Sequence, residues 1–251
     1  MSLTLALAAL TAPVISCPSG SIESECSRSD VAKKIALAPE RIATIADTCL
    51  YDFGGRCGVE ASGRIEVPER GSTLLWQKAS LAPRDGPGAW MVVIVARDTA
   101  GKASLAGFAE SSGSIGTPDL VASDAERSLV HVTGTLAGSG AGNADALFVG
   151  EGDTAVWRQV DLEGWHDEGS AMLPKGYWLR GPADFIFSEM FAVVPVARDG
   201  DGNCCPRGGQ ALFDFSILGD RLVVDSMRFQ PMQPVGEEVE QVAVRAKLPR
   251  H

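Results

Sequence analysis

The sequence contains few of the residues from which metal and catalytic sites are usually built. Its three histidines are isolated from one another, and no Cys-x-x-Cys pair occurs. A zinc site needs a tetrahedral set of nitrogen and sulfur ligands, so this pattern argues against zinc. The Gly-x-Ser-x-Gly motif, which places a serine nucleophile on a strand-to-helix turn, is also absent. We therefore expect a protein that is not an enzyme.

Positive charge is also scarce. The chain has 22 Lys and Arg against 32 Asp and Glu, which gives a formal net charge of −10. Such a surface repels the phosphates of nucleic acids and the headgroups of anionic lipids. We therefore expect no nucleic-acid partner, and we interpret the scattered acidic residues as solubilising surface charge.

The N-terminal segment is apolar but short. Residues 1–16 carry almost no charge and end in small side chains, which is typical of a secretory signal peptide. They are too few to span a bilayer as a helix, which takes roughly 20 apolar residues. The Lys or Arg that usually precedes the apolar part is missing. From this segment we predict a signal peptide and an exported bacterial protein, periplasmic or secreted.

The end of this segment also offers a second interpretation. Val14-Ile15-Ser16-Cys17 loosely resembles the site at which bacterial lipoproteins are cleaved and lipidated. A lipid on Cys17 would anchor the protein to a membrane. It would also leave an odd number of cysteines for pairing. The even total of six therefore favours cleavage without a lipid.

In an exported protein the cysteines are expected to form structural disulfides. The shortest loops would be closed by these pairs: Cys17 with Cys26, Cys49 with Cys57, and Cys204 with Cys205. The alternative connects Cys204 or Cys205 to the N-terminal cysteines and closes a much longer loop. The sequence does not choose between these connectivities.

Residues 17–62 hold the helical part of the sequence, and we interpret them as a cysteine-rich helical cap. Ser29 and Asp30 stand where an N-cap belongs, and apolar residues then recur at intervals of three and four. Pro39 divides the pattern into two short helices, because proline is tolerated in the first turn of a helix. We expect the second helix to end at Gly54-Gly55.

From residue 63 the pattern changes to short apolar runs separated by Gly, Asp and Pro, which predicts a β domain over residues 63–230. The predicted strands are 73–81, 90–96, 103–108, 128–136, 146–150, 155–160, 191–197, 211–217 and 221–224. We expect a mainly β fold, either an antiparallel sandwich or an irregular meander. Turns on Gly and Asp predict hairpins within residues 93–102, 147–157 and 213–224. A propeller-like array is the alternative, because the hairpins are regularly spaced. A short helix is expected at 165–173, and the tail 231–251 could add an edge strand at 242–244.

The turn that begins at Arg198 contains a candidate cation site. Asp199, Asp201 and Asn203 alternate like the first oxygen ligands of a calcium loop. Gln210 stands where such a loop needs its bidentate Glu. The simpler interpretation is a polar turn in which Asp and Asn bond the backbone.

His166 and Glu168 are the candidate catalytic residues. His166 stands beside two carboxylates, and Trp157, Trp165 and Trp178 are not far away in sequence. An acid–base group in an aromatic cleft, or a carbohydrate-binding surface, has this composition. Three tryptophans in a β protein are more often core residues.

Two further features concern the middle of the chain. His131 is expected to be a partly exposed strand residue and not a catalytic base. The glycine-rich stretch 138–143 is followed by a strand and not by a helix, so it does not match a phosphate-binding loop. Asn143 and Asp145 are candidates for offering oxygen atoms to a cation.

The segment Gly202-Asn-Cys-Cys-Pro-Arg-Gly-Gly209 and the alternating strand after it resemble a family of exported bacterial proteins. Members of this family carry an Asn-Cys-Cys-Pro-x-Gly-Gly motif before a C-terminal β-hairpin, and no activity is assigned to them. The resemblance implies export and a β-rich domain. It transfers no catalytic residue.

Together these patterns predict an exported cell-envelope protein that acts as a binding or interaction module, with an envelope or extracellular partner. One alternative is a hydrolase acting on an envelope polymer, for which His166 and Glu168 would be the catalytic residues. The other is an adhesion-type module stabilised by calcium at Asp199, Asp201 and Asn203.

Overall fold

A computed structural model describes residues 16–21, 26–84, 86–138, 142–151, 156–202 and 204–232, and the backbone of 242–245. The fold is mainly β, with 52% of the chain in strands and 9% in helices. Strand pairing in every sheet of these residues is antiparallel. The predicted mainly β, antiparallel architecture is therefore confirmed. The predicted signal peptide lies outside the described residues, except for Ser16.

The N-terminal segment contains two short helices, α1 (Arg28–Ala32) and α2 (Pro39–Ala43). The N-cap of α1 is Ser27, two residues earlier than predicted, because Ser27 and Asp30 form a reciprocal capping box. As predicted, α2 begins at Pro39. It ends at Ala43, well before the predicted Gly54. The reason is that the carbonyl groups of Ile45 and Thr48 accept hydrogen bonds from the side chain of Gln77.

The first sheet is a four-stranded meander of β1 (Arg56–Val67), β2 (Ser72–Ala82), β3 (Ala89–Arg97) and β4 (Ala103–Ser111). A 3₁₀ turn at Pro68–Arg70 connects β1 to β2. β1 was not predicted, and it begins inside the segment that the sequence assigns to the helical cap. It is an edge strand with one exposed face, so its sequence lacks the apolar run of a covered strand.

The next strands are β5 (Ser114–Ile115), β6 (Asp119–Ser123), β7 (Arg127–Val132), β8 (Gly134–Thr135), β9 (Ala146–Glu151) and β10 (Trp157–Val160). The second sheet has the order β10-β9-β7-β6, and β5 pairs with β8 in a two-stranded ribbon beside it. The predicted strand 128–136 is thus divided into β7 and β8. The predicted hairpins β3–β4 and β9–β10 are both formed.

The third sheet follows helix α3 (Trp165–Ala171), which confirms the short helix predicted there. Its strands are β11 (Tyr177–Leu179), β12 (Asp184–Ile186), β13 (Phe191–Arg198), β14 (Gly209–Leu218), β15 (Arg221–Pro231) and β16 (Val242–Arg245). The order is β11-β13-β14-β15-β16, and β12 pairs with the other end of β13. The predicted β14–β15 hairpin and the predicted edge strand in the tail are both present.

The layers are held together by three apolar cores. Met91 and Val93 of β3 pack against the N-terminal segment, whereas Val92 of the same strand packs against the second sheet. Val130 of β7 faces the first sheet, and Leu129 faces the third. β3, β7 and β9 are therefore covered on both faces, which explains why their sequences are continuous apolar runs and not alternating ones.

Two disulfides lie at the N-terminal end, Cys17–Cys26 and Cys49–Cys57. They are two of the three short-loop pairings that the sequence left open. Cys204 and Cys205 are free and exposed, so the disulfide expected there is not formed. A bridge between consecutive residues requires a distorted backbone, because their side chains normally diverge. The sulfur of Cys17 is bonded to Cys26 and is not available for the lipid considered above.

Within the part of the chain that the structure describes, no helix has both the length and the apolar character needed to cross a membrane. α3, with seven residues, is the longest of the three helices named above. A membrane-spanning helix takes roughly 20 residues.

Candidate functional site

A cavity of about 480 Å³ opens between the β5–β8 ribbon, the second sheet and residues 182–185. Its volume is in the range of small-molecule sites. At its wall lie the side chains of His131, Asn143 and Asp145. These three define what we call the His131 cluster.

The strand register explains how the cluster forms. β7 directs Leu129 towards the third sheet, and His131 points the same way because side chains in a strand alternate. His131 is paired with Leu147 and Val132 with Ala146, so Asp145 lies diagonally across from His131. Two adjacent strands thus bring an imidazole and a carboxylate to one end of the second sheet.

The His131 cluster is tightly bonded. Nε2 of His131 lies 2.6 Å from Oδ1 of Asp145, and the two side chains are only 8% and 7% exposed. Asn143 Nδ2 donates to the other carboxylate oxygen of Asp145 at 2.7 Å. The His131 and Phe187 rings also pack in a T-shaped contact, with centroids 4.7 Å apart. The imidazole is therefore held in one orientation by both polar and apolar contacts.

The side chain of Asn143 also hydrogen-bonds the cluster to the opposite wall of the cavity. Its Nδ2 donates to the Ala183 carbonyl at 2.8 Å, and the Ala183 N–H donates to its Oδ1 at 2.6 Å. Ala183 belongs to the segment that leads into β12. The two walls of the cavity are thus connected by hydrogen bonds of the Asn143 side chain and not by backbone hydrogen bonds between paired strands.

The chemistry of the cluster follows from these bonds. When Asp145 is ionised its oxygens only accept hydrogen bonds, and Nε2 of His131 then carries the proton that faces Asp145. In the neutral ring, Nδ1 is then a hydrogen-bond acceptor. A buried carboxylate is costly to maintain unless its oxygens are bonded, and Asp145 satisfies this requirement through His131 and Asn143. An oriented imidazole at the wall of a cavity is a candidate ligand-binding or acid–base group.

The remaining wall of the cavity combines hydroxyl and apolar groups. The Ser114 and Thr135 hydroxyls lie 2.7 Å apart, and Thr133 is nearby on the same wall. The side chains of Ile115 and Phe185 supply apolar surface. This cavity wall contains no Lys or Arg among the described residues, so it offers nothing that would pair with an anion.

The structure does not form the predicted aromatic cleft around His166 and Glu168. Trp165 is buried in the core of the third sheet, whereas the side chain of His166 is 47% exposed beside it on α3. Glu168 lies 3.6 Å from Arg221 at the surface. The Trp165 and His166 rings touch, with centroids 5.6 Å apart, but the indole is turned into the core and the imidazole lies at the surface. Trp157 packs between the first and second sheets, and Trp178 is at the surface of β11.

Asp201, one of the three predicted cation ligands, is bonded within a polar turn. Asp201 accepts hydrogen bonds from the backbone N–H groups of Arg207 and Arg198, at 2.7 and 3.0 Å, and from Arg207 Nε. The Arg207 N–H contributes most to holding the pKa of Asp201 below its usual value. Asn203 lies outside the described residues. The Asp201 carboxylate is already hydrogen-bonded within the turn. The described residues contain no group of three or more His, Cys, Asp or Glu placed to hold a metal ion.

The sequence predicted a partly exposed His131, but in the structure this residue is only 7% exposed. Its place in a buried polar cluster was therefore not predicted. The available signal was an imidazole inside the apolar run Leu129-Val130-His131-Val132, in a strand covered on both faces. A buried imidazole needs a polar partner. Asn143 and Asp145 had been identified as oxygen donors, but for a cation and not for His131.

A scan against models of known protein families found no match, and no curated protein or solved structure matched the chain either. The resemblance of residues 202–209 to exported bacterial proteins therefore stays a prediction. The site is defined by its geometry alone.

Proposed function

We propose that this protein is an exported cell-envelope protein that binds a small, hydroxyl-rich ligand, such as a sugar unit of an envelope polymer, in the cavity beside the His131 cluster. The observation that carries the proposal is the buried, bonded His131–Asp145 pair at the wall of an open cavity of ligand size. Such convergence of a few polar groups on a concave site is typical of small-molecule binding.

The composition of the cavity selects the ligand class. His131, Ser114, Thr133 and Thr135 line the cavity. A neutral imidazole that donates from Nε2 has Nδ1 as an acceptor, and hydroxyl groups both donate and accept. Sugars and polyols present hydroxyl groups of the same dual character, together with C–H faces that pack on apolar side chains such as Phe185. Asp145 and the absence of basic side chains from the described wall disfavour phosphates and carboxylates.

Export is supported by the cysteines and the N-terminus. Two disulfides persist only where the environment is oxidising, which in most bacteria means outside the cytoplasm. The apolar stretch at residues 1–16 resembles the apolar part of a signal peptide for that route, although it has no preceding Lys or Arg. A binding module in the envelope would meet hydroxyl-rich polymers there.

The test compares two histidine variants. His131→Gln removes the imidazole at the cavity, and His166→Gln removes an exposed imidazole on α3. Binding of a panel of monosaccharides, disaccharides and polyols is measured by ligand-observed NMR and calorimetry, with melting temperatures to check folding. We expect at least one sugar to bind wild type and His166→Gln equally, and His131→Gln at least about tenfold more weakly. Failure of every sugar and polyol to bind, or equal binding by His131→Gln, would contradict the proposal.

A hydrolase is the second candidate, favoured by the orientation of His131. An imidazole held by a carboxylate is the usual arrangement of a general base, and three hydroxyl side chains line the same cavity. Turnover of aryl glycosides and aryl esters by wild type, abolished in His131→Gln and retained in His166→Gln, would establish it. Absence of turnover with every substrate would leave binding as the function.

A further inference from the structure

The turn between β13 and β14 presents two adjacent free thiols. Among the residues that the structure describes, Cys204 and Cys205 are the free cysteines, and both are exposed. The other four are paired in the N-terminal segment, where Cys17 is only 4% exposed. The chain thus has disulfide-bonded cysteines at one end and accessible thiols elsewhere.

The position of these thiols is fixed by the turn. The Asp201 carboxylate, whose side chain is 1% exposed, bonds the backbone on both sides of the cysteine pair through Arg198 and Arg207. The Cys205 N–H donates to the Gly202 carbonyl at 3.1 Å. The two thiols are therefore held at the surface by a bonded frame.

The thiols also interact with each other. The Cys205 thiol hydrogen-bonds to Cys204, and this contact is the main cause that raises the pKa of Cys205. The proton of Cys205 is the one held in this contact, so we assign Cys204 as the sulfur that attacks first.

We infer that Cys204 and Cys205 form a thiol–disulfide exchange site that reacts with low-molecular-weight or protein disulfides. The Cys204 thiolate attacks one sulfur of the incoming disulfide, forms a mixed disulfide and releases one thiolate, which takes up a proton. The Cys205 thiol then loses its proton to solvent and attacks the Cys204 sulfur. This second step forms the Cys204–Cys205 bond and releases the other half of the incoming disulfide as a second thiol.

The direction of exchange follows from the strain of the product. A disulfide between consecutive residues closes a small ring and distorts the peptide between them, so it is reduced more easily than an unstrained one. Once oxidised, the Cys204–Cys205 pair therefore readily oxidises other thiols. Cys17–Cys26 and Cys49–Cys57, which join cysteines nine and eight residues apart, are expected to remain oxidised under the same conditions.

The test uses the full-length protein equilibrated in glutathione buffers, with free thiols then alkylated and counted by mass spectrometry. We expect wild type to lose the Cys204 and Cys205 thiols together at a [GSH]²/[GSSG] ratio at least about a hundredfold lower than the ratio that reduces the two N-terminal disulfides. A pair that stays reduced in every buffer, or that titrates with the N-terminal disulfides, would overturn the inference.

Two single variants test the order of the steps. Cys205→Ser removes the resolving thiol, so a glutathione adduct should accumulate on Cys204 instead of an internal disulfide. Cys204→Ser should likewise form no internal disulfide and only an adduct on Cys205. The order of attack is read on wild type, where Cys205 keeps its raised pKa, so a substoichiometric alkylating agent should label Cys204 before Cys205. Labelling of Cys205 first would overturn the assigned roles. Both variants change exposed side chains, and their melting temperatures check that the fold is kept.

Discussion

At the scale of single residues, a buried glutamine connects the N-terminal segment to the first sheet. Gln77 of β2 is 1% exposed. Its Oε1 accepts from the Leu50 N–H at 2.7 Å, and its Nε2 donates to the Ile45 and Thr48 carbonyls. These three backbone groups lie in the irregular stretch after α2. Hydrogen bonds to the Gln77 side chain therefore replace the backbone hydrogen bonds of the helix that the sequence predicted there.

Gln77→Leu is expected to lower the free energy of unfolding by about 1–3 kcal/mol, because buried backbone groups lose their partners while the volume is nearly kept. Urea denaturation measures the change. Gln210→Leu on β14 is the matched control, since Gln210 is exposed and a change of less than about 0.5 kcal/mol is expected. Equal losses in the two variants would refute the role of Gln77.

At the scale of elements, α1 depends on its capping box. Asp30 accepts hydrogen bonds from the Ser27 hydroxyl and from the Ser27 N–H, which lower its pKa from 3.8 to about 2. A carboxyl group whose pKa is lower in the folded protein stabilises the fold in its ionised form. This stabilisation is fully present above the unfolded pKa and is lost as the pH falls from about 4 towards 2.

Asp30→Asn is therefore expected to be less stable than wild type at pH 6, with the difference vanishing near pH 2. Thermal unfolding followed across this pH range measures it. Asp47→Asn is the control, because Asp47 is an exposed carboxylate of the same segment outside the capping box. A difference between wild type and Asp30→Asn that stayed constant with pH would show that the carboxylate charge is not responsible.

The contact between the first and second sheets depends on a glycine, which has no side chain, at residue 107. Gly107 of β4 lies directly against the Phe148 ring of β9, and a Cβ at this position would overlap the ring. Phe148 is fully buried in the core between the two sheets. The close approach of the sheets therefore requires glycine at residue 107.

Gly107→Ala is expected to destabilise the protein by about 1–3 kcal/mol through overpacking. Gly202→Ala is the matched control, because nothing lies within 4 Å of the position its Cβ would take. Combining Gly107→Ala with Phe148→Leu should cost less than the sum of the two single changes, since the smaller side chain makes room. Additive costs in denaturant melts would exclude the proposed overlap.

At the scale of the whole molecule, the disulfides and the sheets stabilise different parts. Both disulfides lie within or beside the N-terminal segment, and each closes a short loop. The second and third sheets share an apolar core that includes no cysteine among its described members. Loss of the disulfides should therefore loosen one end of the molecule and not all of it.

Reduction of both disulfides is expected to lower the stability of residues 26–57 by about 2–3 kcal/mol for each bond. Amide hydrogen exchange followed by mass spectrometry should show faster exchange there and little change in β14 and β15. The oxidised protein in the same buffer is the reference. Equal acceleration in both regions would mean that the chain unfolds as one unit without its disulfides.

Much of the architecture could be predicted from local sequence. Apolar runs bounded by Gly and Asp located most of the strands, because turn preferences act within a few residues. Asp98, for example, accepts from the N–H groups of Ala100 and Lys102 in the predicted β3–β4 turn. β1 escaped prediction because an edge strand with an exposed face shows no such run.

The sequence by itself determined the mainly β class, the main hairpins, the start of α2 at Pro39 and the short helix α3. Only the tertiary structure decided which face of each strand is covered, since a period of two does not reveal whether a second sheet packs on the outer side. That covering buries His131 beside Asp145. The bonds from Asn143 to Ala183 join residues distant in sequence, and the cavity exists only because the sheets that carry them meet.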